Sequence, residues 1–104
     1  MKLMTKELEE RFAKVGSQQE VDDPIVIVKF FNPTGAGNWF ATEYDPIEKI
    51  FYGYVSIFGD QNDEWGSFSL AELESTDVGF GLGIERDKLF KEKLSSEIIK
   101  KYTK

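Results

Sequence analysis

The chain has 104 residues, 40% of them apolar and 31% charged, a balance that fits one globular domain and leaves no room for a second core. It has no cysteine and no histidine, which excludes disulfides, thiol nucleophiles, thiolate or imidazole metal sites and the usual proton shuttle near neutral pH. Its net charge is -6, and no apolar run approaches the roughly 18 to 20 residues that a membrane span requires.

From the N-terminus, charges at Lys2, Lys6, Glu7, Glu9, Glu10 and Arg11 interrupt any apolar core of a secretory signal, so a cytoplasmic location is expected. Leu8, Phe12 and Val15 fall at helical spacing between Thr5 and Gly16, which predicts a short amphipathic helix stopped by the glycine. Ser17 to Asp23 is a polar, acidic connecting loop. After Pro24, the β-branched and aromatic run Ile25 to Phe31 predicts an interior strand covered on both faces. Asn32 to Gly37 is a turn cluster, and Asn38 to Tyr44 returns as the second arm of a hairpin, with Trp39 and Ala41 alternating with Phe40 and Thr42. Asp45 and Pro46 open another turn. In the next strand, Ile50 to Phe58, one side carries Phe51, Val55 and Ile57 and the other carries Tyr52, Tyr54 and Phe58.

Gly59 to Glu64 is a polar acidic loop, followed by a short fourth strand, Trp65 to Phe68. Ser69 with Glu72 matches a capping box for a short helix, Leu70 to Glu74. Gly79, Gly81 and Gly83 mark a tightly turned segment or an extended edge. Helical stretches are then expected over Arg86 to Lys93 and over Ser96 to Tyr102, the latter capped by Ser95. The expected fold is α+β: a three- to four-stranded antiparallel meander packed by an N-terminal helix and C-terminal helices. It forms a single domain over 1–104, with the helix in 1–15, the sheet in 24–68 and a helical part in 69–104.

Charge is distributed unevenly along this plan. Residues 30–68 set one lysine, Lys49, against six acids, and so hold -5 of the net -6; they also contain eleven of the fifteen aromatics. Aromatics on a sheet can stack single-stranded bases, but so acidic a segment repels a phosphate backbone, so no direct nucleic-acid binding is expected. Trp39, Tyr44, Tyr52, Tyr54 and Trp65 are the candidate aromatic binding surface, although a core role is the simpler account for most aromatics.

The polar candidates are Glu43, Asp45, Glu64, Glu85, Arg86 and Asp87. Glu43 and Asp45 could form a carboxylate pair; more simply, Asp45 starts a turn and Glu43 meets a cation such as Arg86. Glu85, Arg86 and Asp87 suggest an organised helix entry, with Arg86 offering a planar fork to a carboxylate. The Gly35–Ala36–Gly37 turn lacks the Lys-Ser/Thr of a phosphate loop, and a strand follows it where a phosphate loop has a helix. Asp60, Asn62 and Glu64 alternate like the start of a calcium loop, but Trp65 and Ala71 stand where glycine and the bidentate glutamate belong. No catalytic residue, metal or cofactor is assigned.

The phrases Lys29-Phe-Phe-Asn-Pro33, Trp39-Phe-Ala-Thr-Glu43-Tyr-Asp45-Pro46, Glu64-Trp-Gly66-Ser-Phe-Ser-Leu-Ala-Glu72-Leu-Glu74 and Gly83-Ile-Glu85-Arg-Asp87 together resemble the bacterial and phage family known as domain of unknown function 2958. The resemblance spans roughly residues 1 to 94. It implies a small protein of a kind often encoded on plasmids, phages and other mobile elements, and it implies no particular reaction.

The leading expectation is a non-enzymatic accessory or protein-binding module whose acidic, aromatic surface meets a protein partner, with no membrane association and an oligomeric state left open. One alternative is an acidic mimic of nucleic acid that occupies a DNA-binding protein. Another is a carboxylate enzyme, with or without Mg²⁺, which requires Glu43, Glu64, Glu85 and Arg86, with Asp87 as a further member, to converge in one cleft.

Overall fold

The structure, a computed structural model, describes residues 2–57 and 63–102. Helix α1 runs Lys6–Val15. Its start is fixed by Thr5, whose hydroxyl accepts from the Leu8 N–H at 3.1 Å, and its end by Gly16, whose φ of 71° lets its N–H donate to the Phe12 carbonyl at 2.8 Å.

The expected single strand after Pro24 is divided into β1 (Ile25–Val26) and β2 (Val28–Phe31). The break falls at Ile27, whose N–H donates to the Ala41 carbonyl at 2.9 Å. The two pieces serve different sheets. β2 begins an antiparallel meander with β3 (Asn38–Asp45), β4 (Ile50–Ser56) and β5 (Glu64–Ser69). β1 pairs instead with a late two-residue strand, Lys93–Leu94.

Helix α2 (Leu70–Ser75) follows directly, and the Ser69 hydroxyl accepts from the Glu72 N–H at 3.2 Å, which is the serine's half of the expected capping box. The glycine-rich stretch is a small hairpin of β6 (Asp77–Gly79) and β7 (Leu82–Gly83), with Phe80 at its tip at φ 57°. The expected helix from Arg86 to Lys93 does not form, so the part after residue 69 is only partly helical. Glu85–Arg86 is instead strand β8, which pairs with the free edge of β2 and adds a fifth strand to the sheet. Beyond it the Asp87 carboxylate accepts from the Leu89 N–H at 3.0 Å, a local turn that competes with helix formation. The Lys93–Leu94 strand is β9, and α3 (Ser95–Tyr102) closes the described chain.

Sheet order is β5-β4-β3-β2-β8, antiparallel throughout, and both faces are covered. On one face α1, α2 and the segment around Leu3 bury Phe12, Phe30, Phe51, Phe68, Leu70 and Leu73 in the larger core. Phe51 is its hub, with ring centroids 5.8, 5.2 and 5.4 Å from Phe12, Phe30 and Phe68. On the other face Ile98 of α3 covers Val26, Phe40 and Tyr54 in a smaller core. Among the described residues no helix is long and apolar enough to cross a membrane.

Candidate functional site

The position of the site depends on one irregularity in β3. Trp39 and Ala41 face the α1 side and Phe40 faces α3, as simple alternation requires. Between Ala41 and Glu43 the register with β4 shifts, so that Ala41 opposes Gly53 and Glu43 opposes Tyr52, with Thr42 as the extra residue. Such a bulge turns every later side chain to the opposite face. Tyr44 is thereby carried into the larger core, its ring 4.8 Å from Phe51 and 5.8 Å from Phe12. Glu43 is carried to the α3 side, beside Tyr52.

Gln18 holds this bulge in place. It lies in the loop read from sequence only as a polar connector, yet its side chain is 6% exposed. Its amide nitrogen donates to the carbonyls of Thr42 at 2.7 Å and Ile25 at 2.9 Å, and its oxygen accepts from the Ile25 N–H at 2.8 Å. The Thr42 hydroxyl donates to the Tyr52 carbonyl at 3.2 Å. The Thr42 carbonyl at the bulge, and the Ile25 carbonyl and N–H and the Ile27 N–H at the β1/β2 break, therefore find partners. No sequence motif signals this role; a glutamine in a polar loop has no distinctive spacing.

Helix α3 is short and its Ile98 packs on the Phe40–Tyr54 cluster, with the half-buried Trp65 at the margin of that cluster, 5.8 Å from the Tyr54 ring. Beyond Trp65 the same face carries Glu43 and Tyr52. The rings of Tyr52 and Trp65 stack at 6.1 Å and 18°, and Tyr52 is 41% exposed whereas Tyr54 is 5% exposed. With Gln18, Val21 and Asp22 these residues line a groove of about 420 Å³. A second groove, of about 560 Å³, adjoins it through Gln19, Glu43 and Tyr52 and adds Asp45 and Glu48. Four carboxylates line the two grooves, and no lysine or arginine does. Glu43 has no ion-pair partner among the described residues.

The remaining candidates lie elsewhere. Asp45 serves its turn, its Oδ1 accepting from the N–H groups of Ile47 at 2.9 Å and Glu48 at 3.2 Å. Trp39 packs on the larger core, its ring over Gly37, where an added Cβ would stand 3.3 Å from it. Tyr44 is half-buried against the larger core, and burial first, then the charges of Glu9, Glu74 and Asp45, raises its hydroxyl pKa above the ordinary value. Glu64 opposes Val55 on the face opposite Trp65.

Arg86 opposes Phe30 on the α1 side, and its Nη1 donates to the carbonyls of Leu3 at 2.9 Å and Lys2 at 3.5 Å. It secures the N-terminal segment on the face away from Glu43, so the fork expected to meet Glu43 is engaged with backbone. Glu85 opposes Phe31 on the edge strand, and Asp87 lies 3.8 Å from the Lys29 ammonium. The six polar candidates are thus divided between the two faces of the sheet and its edge. Asp60 and Asn62 of the calcium-like pattern, and Phe58 at the expected end of the third strand, lie outside the described residues. No cluster of three or more carboxylates suited to a metal occurs among the described residues.

These features define a small three-layer α+β domain, helices on either side of a five-stranded antiparallel sheet, with one part of the sheet left open as an acidic, aromatic groove. The chain belongs to the family described as protein of unknown function (DUF2958), whose model matches residues 3–103, nearly the whole chain. No curated protein and no solved structure is significantly similar to it.

Proposed function

We propose that this protein is a non-enzymatic binding module of the cytoplasm that docks a cationic, Arg- or Lys-bearing segment of a partner protein on the open part of its sheet. The observation that carries this is the pair of adjoining grooves, one setting Asp22 and Glu43 beside the stacked Tyr52 and Trp65 and the other adding Asp45 and Glu48 next to Tyr52, with no lysine or arginine in either lining. Aromatic faces beside carboxylates attract a cation twice, through the ring quadrupole and through charge. The ring edges and Val21, which is exposed, supply apolar area for the stem of a long basic side chain. An association between plasmid- or phage-encoded relatives and a host partner is compatible with this chemistry.

Among the described residues, the acids and the arginine suited to turnover do not converge. Glu43 and Arg86 lie on opposite faces of the sheet, and the chain has neither histidine nor cysteine. The same division of acids argues against an array of carboxylates at phosphate spacing on one face.

The test is a pull-down with the full chain from host lysate at low and moderate salt, repeated with Trp65→Ala and with Glu43→Gln. A partner retained by the native chain should be lost with Trp65→Ala, since a buried aromatic anchor typically contributes about 2 kcal/mol or more. Glu43→Gln should weaken retention and reduce its salt sensitivity. Undiminished retention by both variants, or no partner at any salt, would overturn the proposal.

A further inference from the structure

Beyond the docking groove, the α3 side carries a cleft of opposite character. Lys29 of β2, Lys91 of the segment before β9, Lys93 of β9 and Lys101 of α3 line a cavity of about 480 Å³, with Phe40 and Phe90 in its wall. Two acids, Asp87 and Glu97, share the lining, so four positive charges face two negative ones. Elsewhere the chain is strongly acidic, and the sequence balances charges over 69–104 one for one. Lys91, Lys93 and Lys101 outnumber Asp87 and Glu97 by one, and the fold doubles that local excess by bringing up Lys29, distant in sequence.

Two of these ammonium groups are held in position by rings. The Lys29 Nζ lies 5.9 Å from the centroids of both Phe31 and Phe40, and the Lys93 Nζ lies 5.5 Å from that of Phe90. Cation–π contact leaves the N–H donors of an ammonium available to an acceptor on its far side. Asp87 neutralises Lys29 in part at 3.8 Å, whereas Lys91, Lys93 and Lys101 have no ion-pair partner among the described residues. Several ammoniums spread around one cavity suit an anion with more than one charged group better than a single carboxylate. Lysine meets phosphate as a point charge, without the planar match that arginine needs.

We propose that this cleft binds a phosphate-bearing small anion with at least two charged groups, a diphosphate or triphosphate chain, with the ammoniums of Lys93 and Lys101 as its principal donors. The site is separate from the acidic groove, and neither proposal depends on the other.

The experiment is a ¹H–¹⁵N titration of the full chain with inorganic tripolyphosphate, in parallel with ATP, at moderate salt. Saturable amide shifts are expected at Lys29, Phe90, Lys93 and Ile98, and not at Tyr52 or Trp65. Lys93→Gln with Lys101→Gln, which alters two exposed positions, should keep the spectrum of a folded chain and weaken binding by about tenfold or more. Equal affinity for the two probes assigns recognition to the phosphate chain alone, and tighter ATP adds a contact between base and Phe90. The proposal is overturned if tripolyphosphate gives no saturable shift at these amides, if the double variant binds as tightly as the native chain, or if a single-stranded oligonucleotide binds while both small probes fail.

Discussion

Two side chains from the 17–23 loop have roles out of proportion to that loop's plain composition. Gln18 satisfies three backbone groups, and Gln18→Ala would leave the Thr42 and Ile25 carbonyls and the Ile25 N–H without those partners beside a bulge. Each buried unsatisfied group costs about 1 to 3 kcal/mol, and partial access for water should bring the total to about 2 to 4 kcal/mol in urea unfolding. Asp23 closes the start of α3. Its Oδ1 accepts from the Ser96 N–H at 2.9 Å and the Ser95 hydroxyl at 3.0 Å, and its Oδ2 accepts from the Ser96 hydroxyl at 2.6 Å. Ser95, expected as the cap, is the first residue of the helix and donates its hydroxyl to the residue that caps it. The hydrogen bonds from Ser96, side chain first and then backbone, hold the Asp23 carboxyl below the ordinary value for aspartate. Its contribution to stability is therefore whole above the unfolded-state value of about 3.9 and is lost as pH falls through the lower folded-state value. Urea midpoints of the native chain and of Asp23→Ala should differ most near neutrality and converge in acid. A gap that stays constant from pH 7 down to pH 2 would show that the carboxylate is not what caps α3.

At the scale of elements, the β3–β4 pair is the most constrained part of the fold, and Gly53 is its tightest point. An added Cβ there would overlap the Phe40 carbonyl oxygen and lie 2.8 Å from the Phe40 carbonyl carbon and 2.9 Å from the Ala41 Cα, all backbone atoms that cannot turn aside. Gly53→Ala should therefore cost about 3 kcal/mol or more, at the upper end of overpacking, and should reduce the soluble folded yield. Gly66→Ala, where an added Cβ meets nothing within 4 Å, is the control and should fold normally. The meander was legible in the sequence because its turns carry strong signals, namely Asn32 to Gly37 and Asp45-Pro46, and because its strands are aromatic and β-branched. Helix α1 was legible from the spacing of Leu8 and Phe12 and from Gly16. The short strands after residue 76 were not, since a two-residue strand has no periodicity of its own. Glu85–Arg86 is extended because β2 offers an unpaired edge, a fact of tertiary structure. The candidate site was half legible for a similar reason. Composition located the acids and rings between Phe30 and Phe68, and simple alternation paired Tyr52 with Tyr54. The bulge at Thr42, which turns Glu43 to the face of Tyr52 and Tyr44 to the face of Phe51, is bonded by Gln18 and has no local signature.

For the whole molecule, the consequential feature is that the two cores differ in size, because this decides which face can be spared. The α1 side is built around Phe51 and includes both long-range pins of the N-terminal segment, Arg86 on Leu3 and the Leu3 N–H donating to Glu74 at 3.0 Å. The α3 side rests on Ile98 against Val26, Phe40 and Tyr54, with the partly buried Trp65, Phe90 and Ile99 around them, and its helix is held by Asp23 and by the Ser95 N–H donating to the Pro24 carbonyl at 2.9 Å. The lysine cleft and the groove at Tyr52 and Trp65 lie on the α3 side, where the sheet is thinly covered, while the adjoining acidic groove runs round to α1 at Phe12 and Ala13. Phe51→Ala should cost about 3 to 5 kcal/mol and Ile98→Ala about 2 to 5 kcal/mol, against a total stability of about 5 to 15 kcal/mol for a domain of this kind. The costs overlap, so a denaturation midpoint alone will not separate them, but amide hydrogen exchange will. If the large core carries cooperative folding, Phe51→Ala should lower protection throughout the sheet, because every strand from β2 to β5 leans on that cluster. Ile98→Ala should lower it mainly in α3, β1 and β9 while the centres of β3 and β4 stay protected. Uniform loss in Ile98→Ala would mean that the two faces fold as one unit and that neither proposed surface lies on a separable layer.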